Sequence, residues 1–348
     1  MNRDILKIGG APIFDDRIVK IETHTYNPYA NTTFGYSDEI RIPIQHQDLY
    51  TLPCETERNK TLENAGWKIA FSLDSLLDRP ITASEEFNFC VPLITLLGFC
   101  EDYKHIVINA RHELVLIRAR NDNNCVITSD TEEFTLTLSK VQWKMPHVIL
   151  NDVNKLSLLR TLENGRYLSM GFRSWDLYEF PLLQSTTKHS WAVKTTSHLE
   201  KPRYVILLLQ TGKRNVLSQD STRFDACALV NVKLFLNSDF FPYDDMNVDF
   251  ERNKVAILYD MYTKFANSYY GYERNETLLS LAQFISSAPL VVIDCSRQNE
   301  SVKSATVDIR IEFECRANIP PSTTAYCLII HDRVIEYIPL TNVVRKII

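Results

Sequence analysis

The sequence predicts an all-β fold made of two β-rich halves, sandwiches or barrels, with a few inserted helices. Three observations carry this. Short apolar-alternating segments follow one another with polar breaks along the whole chain of 348 residues, the spacing of a sandwich or barrel rather than of alternating strand–helix units. The stretch "VKSATVDIRIEFEC" (302–315) keeps a strict period of two: Val307, Ile309, Ile311, Phe313 and Cys315 share one face, with Asp308, Arg310, Glu312 and Glu314 on the other; this predicts a half-buried strand. Glycine is scarce, 9 in the chain, about 3% against an ordinary 7%, which disfavours folds that cradle phosphates on glycine loops.

In chain order, strands are expected at 17–25 (RIVKIETHT), 39–45 (EIRIPIQ), 87–93 (FNFCVPL), 105–110 (HIVINA), 113–120 (ELVLIRAR) and 133–145 (EFTLTLSKVQWKM). "DVNKLSLLRTLENG" (152–165) places Val153, Leu156, Leu159 and Leu162 at near-helical spacing after an Asp cap and before Gly165; it predicts a helix connecting the two halves. The second half repeats the pattern with RYLSMGFRSW, HSWAVKT, RYVILLLQT, LVNVKLFL, LVVID, TVDIRIEFEC, AYCLII and VIEYIPL. Between 253 and 287 the apolar period shifts from two to 3.6, which predicts a helical insertion. His331-Asp332-Arg333 between "TTAYCLII" and "VIEYIPL" reads as a three-residue hairpin turn. With the 306–315 strand, that hairpin would make a sequential run of three. The domains expected are 1–148 and 149–348, the second including the connector helix.

A net charge of −5 leaves no basic surplus for nucleic acid. The longest apolar run, Tyr204 to Leu209, is far short of the roughly 18 residues a bilayer requires, so neither a membrane partner nor secretion is expected. Eight cysteines are scattered without a C-x-x-C pair, the pattern of reduced core thiols.

Local chemistry is sparse. His46-Gln47-Asp48 has the H-x-D form with which jelly-roll oxygenases hold Fe(II), needing a distant third histidine from among His105, His112, His147 and His189. A polar strand end is the plainer reading of the same residues. Gly212-Lys213 follows an apolar strand like the end of a phosphate loop, but Leu207 stands where the first glycine belongs and Arg214 where Ser or Thr belongs. Asp245, Asn247 and Asp249 have the spacing of a calcium loop, yet Phe250 replaces its turn glycine and Ala256 its closing glutamate, so a solvated loop is expected. Asp294-Cys295-Ser296 lacks the glycines of a nucleophile elbow. Aromatics cluster at 172–183, 235–245 and 259–273. Most suit packing, and the Tyr259–Tyr272 helix and loop is the best interface candidate among them.

"YNPYANTTFGYSDEIRIPIQHQDLYTLPCE", "NFCVPLITLLGFCEDYKHIVINARHELVLIRARNDNNC", "YLSMGFRSWDLYEFPLLQSTTKHSWAVKT" and "VIDCSRQNESVKSATVDIRIEFEC" resemble the double jelly roll-like proteins of invertebrate genomes, which are similar to the major capsid proteins of Polinton-type elements and adintoviruses. The resemblance runs from about Phe14 to Ile348. It implies two eight-stranded jelly rolls in tandem and three chains forming a capsomer that tiles a shell. The implied partners are copies of the chain itself and other capsid proteins; the implied location is a virion for a viral gene and otherwise the cell interior. Capsid-type relatives carry no catalytic residues to transfer, so no catalytic, cofactor-binding or metal residue is assigned and no enzyme activity or cofactor is expected. One departure stands out: after "LPCE" the chain passes through "TERNKTLEN" into "AGW", where family members carry further strands. The first jelly roll is therefore expected to be incomplete after residue 55, unless "WKIAFSL" substitutes for a strand. Two other functions remain open. One is an Fe(II) oxygenase using His46 and Asp48. The other is a lectin-like ligand-binding module, which would show a groove lined by exposed aromatics with adjacent carboxylates.

Overall fold

The computed structural model describes residues 17–44, 50–55, 90–125, 127, 136–163, 167–193, 202–237, 239–271, 278–297 and 307–347. The first part carries β1 (Ile18–Tyr26), β2 (Glu39–Ile44), β3 (Tyr50–Thr51), the short helix α1 (Gly98–Asp102), β4 (Val107–Ile108), β5 (His112–Ile117) and β6 (Trp143–Leu150). These strands form a sheet of order β1-β6-β3-β4 and a two-stranded sheet β2-β5. The period of two in "EIRIPI" decides the packing: Ile40, Ile42 and Ile44 are buried while Glu39 and Arg41 face water. The three isoleucines meet Tyr26, Trp143 and Met145 from the opposite sheet, which makes the first core a sandwich interior.

Helix α2 (Asp152–Glu163) follows β6 directly. The expected Asp cap is corrected to Asn151, whose Oδ1 accepts the Asn154 N–H at 2.8 Å. Of the four apolar residues read at helical spacing only Leu162 is buried, packing with Tyr50, Ile108 and Val148, while Val153 and Leu156 are exposed.

Beyond α2 come β7 (Leu168–Phe180), β8 (Lys188–Val193), β9 (Pro202–Thr211), β10 (Leu229–Leu236), β11 (Asp239–Phe241), α3 (Ala256–Tyr270), α4 (Leu281–Ser287), β12 (Val291–Asp294), β13 (Ile309–Cys315), β14 (Thr323–Ile338) and β15 (Val343–Ile347). One sheet has the order β11-β10-β13-β8; in the other, β12 pairs β9, β9 pairs β14, and β14 also pairs β7 and β15. Among the described residues no sheet mixes strands from both sides of α2. Val205, Leu207 and Leu209 of β9 pack across the sandwich against Val232, Leu234, Ile309 and Ile311. The even positions of β9, Tyr204 and Ile206, are buried on the other face with Tyr269 of α3. That explains the unbroken apolar run in this strand: it is covered on both faces. The insertion is helical, as its period predicted; α3 ends on Gly271 at φ +66°, a left-handed cap that favours glycine, and Ser280 with Gln283 forms a capping box on α4.

The strand read at 306–315 is β13 from Ile309 to Cys315, with its predicted alternation. Ile309, Ile311, Phe313 and Cys315 are buried, and the charged face of β13 looks outward. Its charges are matched within its own sheet: Arg310 lies 3.4 Å from Glu312 and 4.4 Å over the Phe235 ring, and Lys188 of β8 lies 3.4 Å from Glu314.

Five expectations are corrected. The hairpin at 331–333 does not exist: β14 runs through His331-Asp332-Arg333 without a turn, because β7 pairs with it from Ala325 to Tyr337 and holds that stretch extended. The reversal comes after Ile338, where Asn342 at φ +55° helps turn the chain into β15. β13 also lies in the sheet facing β14, so the run of three is replaced by strands from opposite layers. At 87–93, Cys90 to Pro92 is irregular and Leu93–Thr95 is a 3-10 turn closed by Thr95 Oγ1 on Pro92 O at 2.6 Å, as suits a proline that cannot join a ladder. The strands expected at 105–110 and 133–145 are cut to Val107–Ile108, ended by Asn109 at φ +52°, and to a start at Trp143. Residues 56–89, with the departure after Glu55 and "WKIAFSL", lie outside the described residues.

Candidate functional site: the seam between the sandwiches

The strongest constellation of charge in the described protein lies where α1 of the first part meets β7 and α3 of the second. Gly98 opens α1 with its Cα against the Arg173 carbonyl: a Cβ there would sit 1.9 Å from the oxygen. This approach brings Asp102 over β7. Its Oδ2 accepts both the Arg173 backbone N–H, at 2.7 Å, and Nε, at 2.8 Å, and its Oδ1 pairs closely with Nη2. The guanidinium also donates from Nη1 to the Tyr269 carbonyl at 2.6 Å and stacks 3.6 Å over the Tyr269 ring. The Tyr269 hydroxyl donates to Glu101 Oε2 at 2.9 Å and accepts from Trp175 Nε1 at 3.0 Å. Burial, followed by the Glu101 bond, pushes the Tyr269 phenol well above its ordinary range. For Arg173, burial opposes the charge, but Asp102, Tyr269 and Glu101 outweigh it and the pKa rises. Every member is satisfied, as a buried polar network must be to hold rather than weaken a fold.

Three further contacts cross the same seam. Asn124 and Asn215 exchange two bonds, Nδ2 to Oδ1 at 3.1 Å and backbone N to Oδ1 at 2.7 Å. Tyr337 of β14 donates its hydroxyl to Ile108 O at 2.9 Å, and Asn109 Nδ2 donates to Pro339 O at 2.9 Å. Val107 and Met170 pack with Tyr337 at this joint. The joint ties one sandwich to the other.

The residues singled out in sequence are dispersed. His46 and Asp48 lie outside the described residues. His147 is fully buried, its Nε2 2.7 Å from the Tyr26 hydroxyl; His112 Nε2 is 3.0 Å from Thr51 Oγ1; His189 lies 3.0 Å from Thr186 O and stacks on Phe313; His105 sits edge-on to Tyr103. Among the described residues no group of three His, Cys, Asp or Glu side chains could hold a metal ion. Lys213 is committed to Asp225 at 2.6 Å. The 245–249 segment is a loop with Asp245 and Asn247 exposed, as expected, and Asp245 is met by Lys233 at 3.0 Å; Asp249 alone departs, being buried and bound by Arg316 at 2.6 Å. Cys295 is buried, and burial pushes its thiol far above the reactive range. All eight cysteines are free and four of them are buried.

Within the interface expected at Tyr259–Tyr272, Tyr262 and Tyr269 are buried and belong to the core, with Tyr259 and Tyr262 packed on Phe284, whereas Tyr270 is exposed. Tyr272 lies outside the described residues. Sequence reasoning missed the seam because Asp102 and Arg173 are 71 residues apart and Glu101 and Tyr269 are 168 apart. No local motif could have announced it.

One titration follows from this geometry. Burial lowers the His112 imidazole from 6.5 to about 4. The unfolded chain then binds the proton more tightly than the folded one, so stability is full above pH 6.5 and falls as pH drops towards 4. By pH 5 the loss should be about 2 kcal/mol, read from urea unfolding at pH 7.5 and 5.0. His112→Gln should flatten that difference; an unchanged slope would remove His112 as its source.

No curated protein matches the chain. Among solved structures, it is similar to the PBCV-1 capsid protein VP54 fitted into a reconstruction of the virophage Sputnik (TM-score 0.45, 8% identity, 97% of this chain and 99% of that one). It is also similar to the Sputnik virophage structure (TM-score 0.41, 8% identity, 100% and 92%). A third likeness is to the mavirus major capsid protein (TM-score 0.38, 9% identity, 70% of this chain), of which this chain spans little more than half, 55%. No helix of the described residues is long and apolar enough to cross a membrane. The family model of the double jelly roll-like domain matches residues 49–335, most of the chain and strands on both sides of α2, and the chain belongs to that family.

Proposed function

We propose that the protein is a non-enzymatic structural subunit of a capsid-type shell, viral or virus-derived, with residues 1–148 and 149–348 as its two jelly rolls and a closed trimer as its assembled unit. The observation that carries this is the seam. A shell subunit receives loads from several neighbours and must pass them on as one body, and a fully satisfied Asp102–Arg173–Tyr269–Glu101 network joins the two sandwiches. The double jelly roll-like family supports the same reading. The resemblance to Polinton-type and adintovirus proteins makes a virion the place of action for an active viral gene. Repeated heterologous contacts between identical copies close into rings when the rotation permits, and the resemblance implies that the ring is threefold. Light scattering on the purified chain should give three times its 40.3 kDa mass. A strict monomer at high concentration, in both low and high salt, would overturn the proposal.

A further inference from the structure

At the β1 end of the first sandwich, where the chain leaves β1 towards β2, an open groove of about 870 Å³ is lined by Glu22, His24, Tyr26, Asn27, Tyr29 and Pro43, with Thr23 and Thr25 beside them. That volume is in the range of a small-ligand site. The side chains narrow what it could take. None of the described residues lining it is Lys or Arg, so a phosphate, sulfate or nucleic-acid ligand would meet the Glu22 carboxylate with no cationic side chain in the wall to bind it. None is Leu, Ile, Val, Met, Phe or Trp, so a lipid tail or apolar molecule would find little wall. Only His24 and Glu22 could ligate a metal, short of the three or four protein ligands such sites use.

What the groove offers instead is the Glu22 carboxylate, the His24 imidazole and the Asn27 amide in one wall with a half-exposed tyrosine ring, Tyr29 at 44%. A sugar ring has the matching chemistry: hydroxyls around its edge and a C–H-rich face that packs on an aromatic ring. The groove is also built in advance. His24 rests edge-on against the buried His147 ring at 4.5 Å, and His147 is held by the Tyr26 hydroxyl. Glu22 is steadied by an ion pair with Lys20 and lies 3.6 Å from His24 Nε2. Gln142 Nε2 donates to Asn27 Oδ1 at 2.7 Å, which orients the Asn27 amide, and the Tyr29 N–H bonds to Arg41 O at 3.3 Å, which anchors the loop that carries the ring. Fixed polar groups around an exposed ring need little ordering when a ligand arrives.

We propose that this groove is a binding site for an uncharged carbohydrate, with Tyr29 as the stacking platform and Glu22, His24 and Asn27 as hydrogen-bonding groups. The site is independent of shell assembly, so a chain that failed to trimerise would leave it standing. The test is an array of neutral, sialylated and sulfated oligosaccharides probed with the full 348-residue chain, then titration calorimetry with the strongest neutral ligand found. Binding confined to neutral glycans is expected, weakened about tenfold or more by Tyr29→Ala and clearly by Glu22→Gln, with both variants melting as the unmodified chain does. A silent array would overturn the proposal, and so would binding of the sulfated or sialylated glycans alone. Affinity untouched by both substitutions would overturn it equally.

Discussion

Arg173→Ala should destabilise the protein by up to about 3–5 kcal/mol, the cost of removing one partner from a buried ion pair, because the side chains of Arg173 and Asp102 are only 15% and 18% exposed. The substitution leaves Asp102 against β7 without its counter-charge, removes the donor to the Tyr269 carbonyl, and uncovers the Tyr269 ring. Arg173→Lys should recover only part of the loss, because an ammonium cannot give Asp102 its forked contact and the Tyr269 carbonyl a bond at the same time. Guanidinium melts of the three proteins would decide it, and a loss under about 1 kcal/mol for Arg173→Ala would show that solvent screens the pair as at an exposed site. Because the network joins the two sandwiches, the variant should also unfold less cooperatively, with the first core opening before the second.

Gly98→Ala should cost about 3 kcal/mol, at the upper end of what overpacking costs. The atom in the way is a backbone carbonyl oxygen, 1.9 Å from the new Cβ, so no side-chain rotation can relieve the contact and α1 must lift from β7. Lifting α1 draws Asp102 away from the Arg173 N–H and Nε. The two substitutions act on one joint, and the double variant should lose clearly less than the total of the two single losses. Unfolding curves of the single and double variants measure the coupling; strict additivity would separate the helix contact from the ion pair.

Much of the fold was legible because its signals are local. The alternation in "EIRIPI", "LVNVKLFL" and "DIRIEFEC" marks which side chains turn inward whatever the partner strand. The family was legible in the same way, in long stretches of such segments. The family resemblance implied a capsid-type function and no catalytic set, and nothing local pointed to a site. The groove at Glu22, His24 and Tyr29 was not legible either. Its residues are ordinary strand and loop polar groups, and what distinguishes them is the concavity that β1, β2 and the loop between them make together.

The sequence by itself determined the strand periods, the helical connector at Asp152–Glu163, the insertion from Ala256 to Ser287 and the inward set of β13. Tertiary structure alone decided whether a polar triplet is a turn. His331-Asp332-Arg333 has the composition of a hairpin loop, yet β7 pairs along the whole stretch and His331 is buried. It decided equally that Tyr262 and Tyr269 are core rather than interface, and that Asp102 and Arg173 meet. The reason is the range of the forces involved. Side-chain alternation follows from backbone geometry two residues at a time, whereas burial of a charge or a tyrosine is favourable only when a remote surface supplies the matching partner.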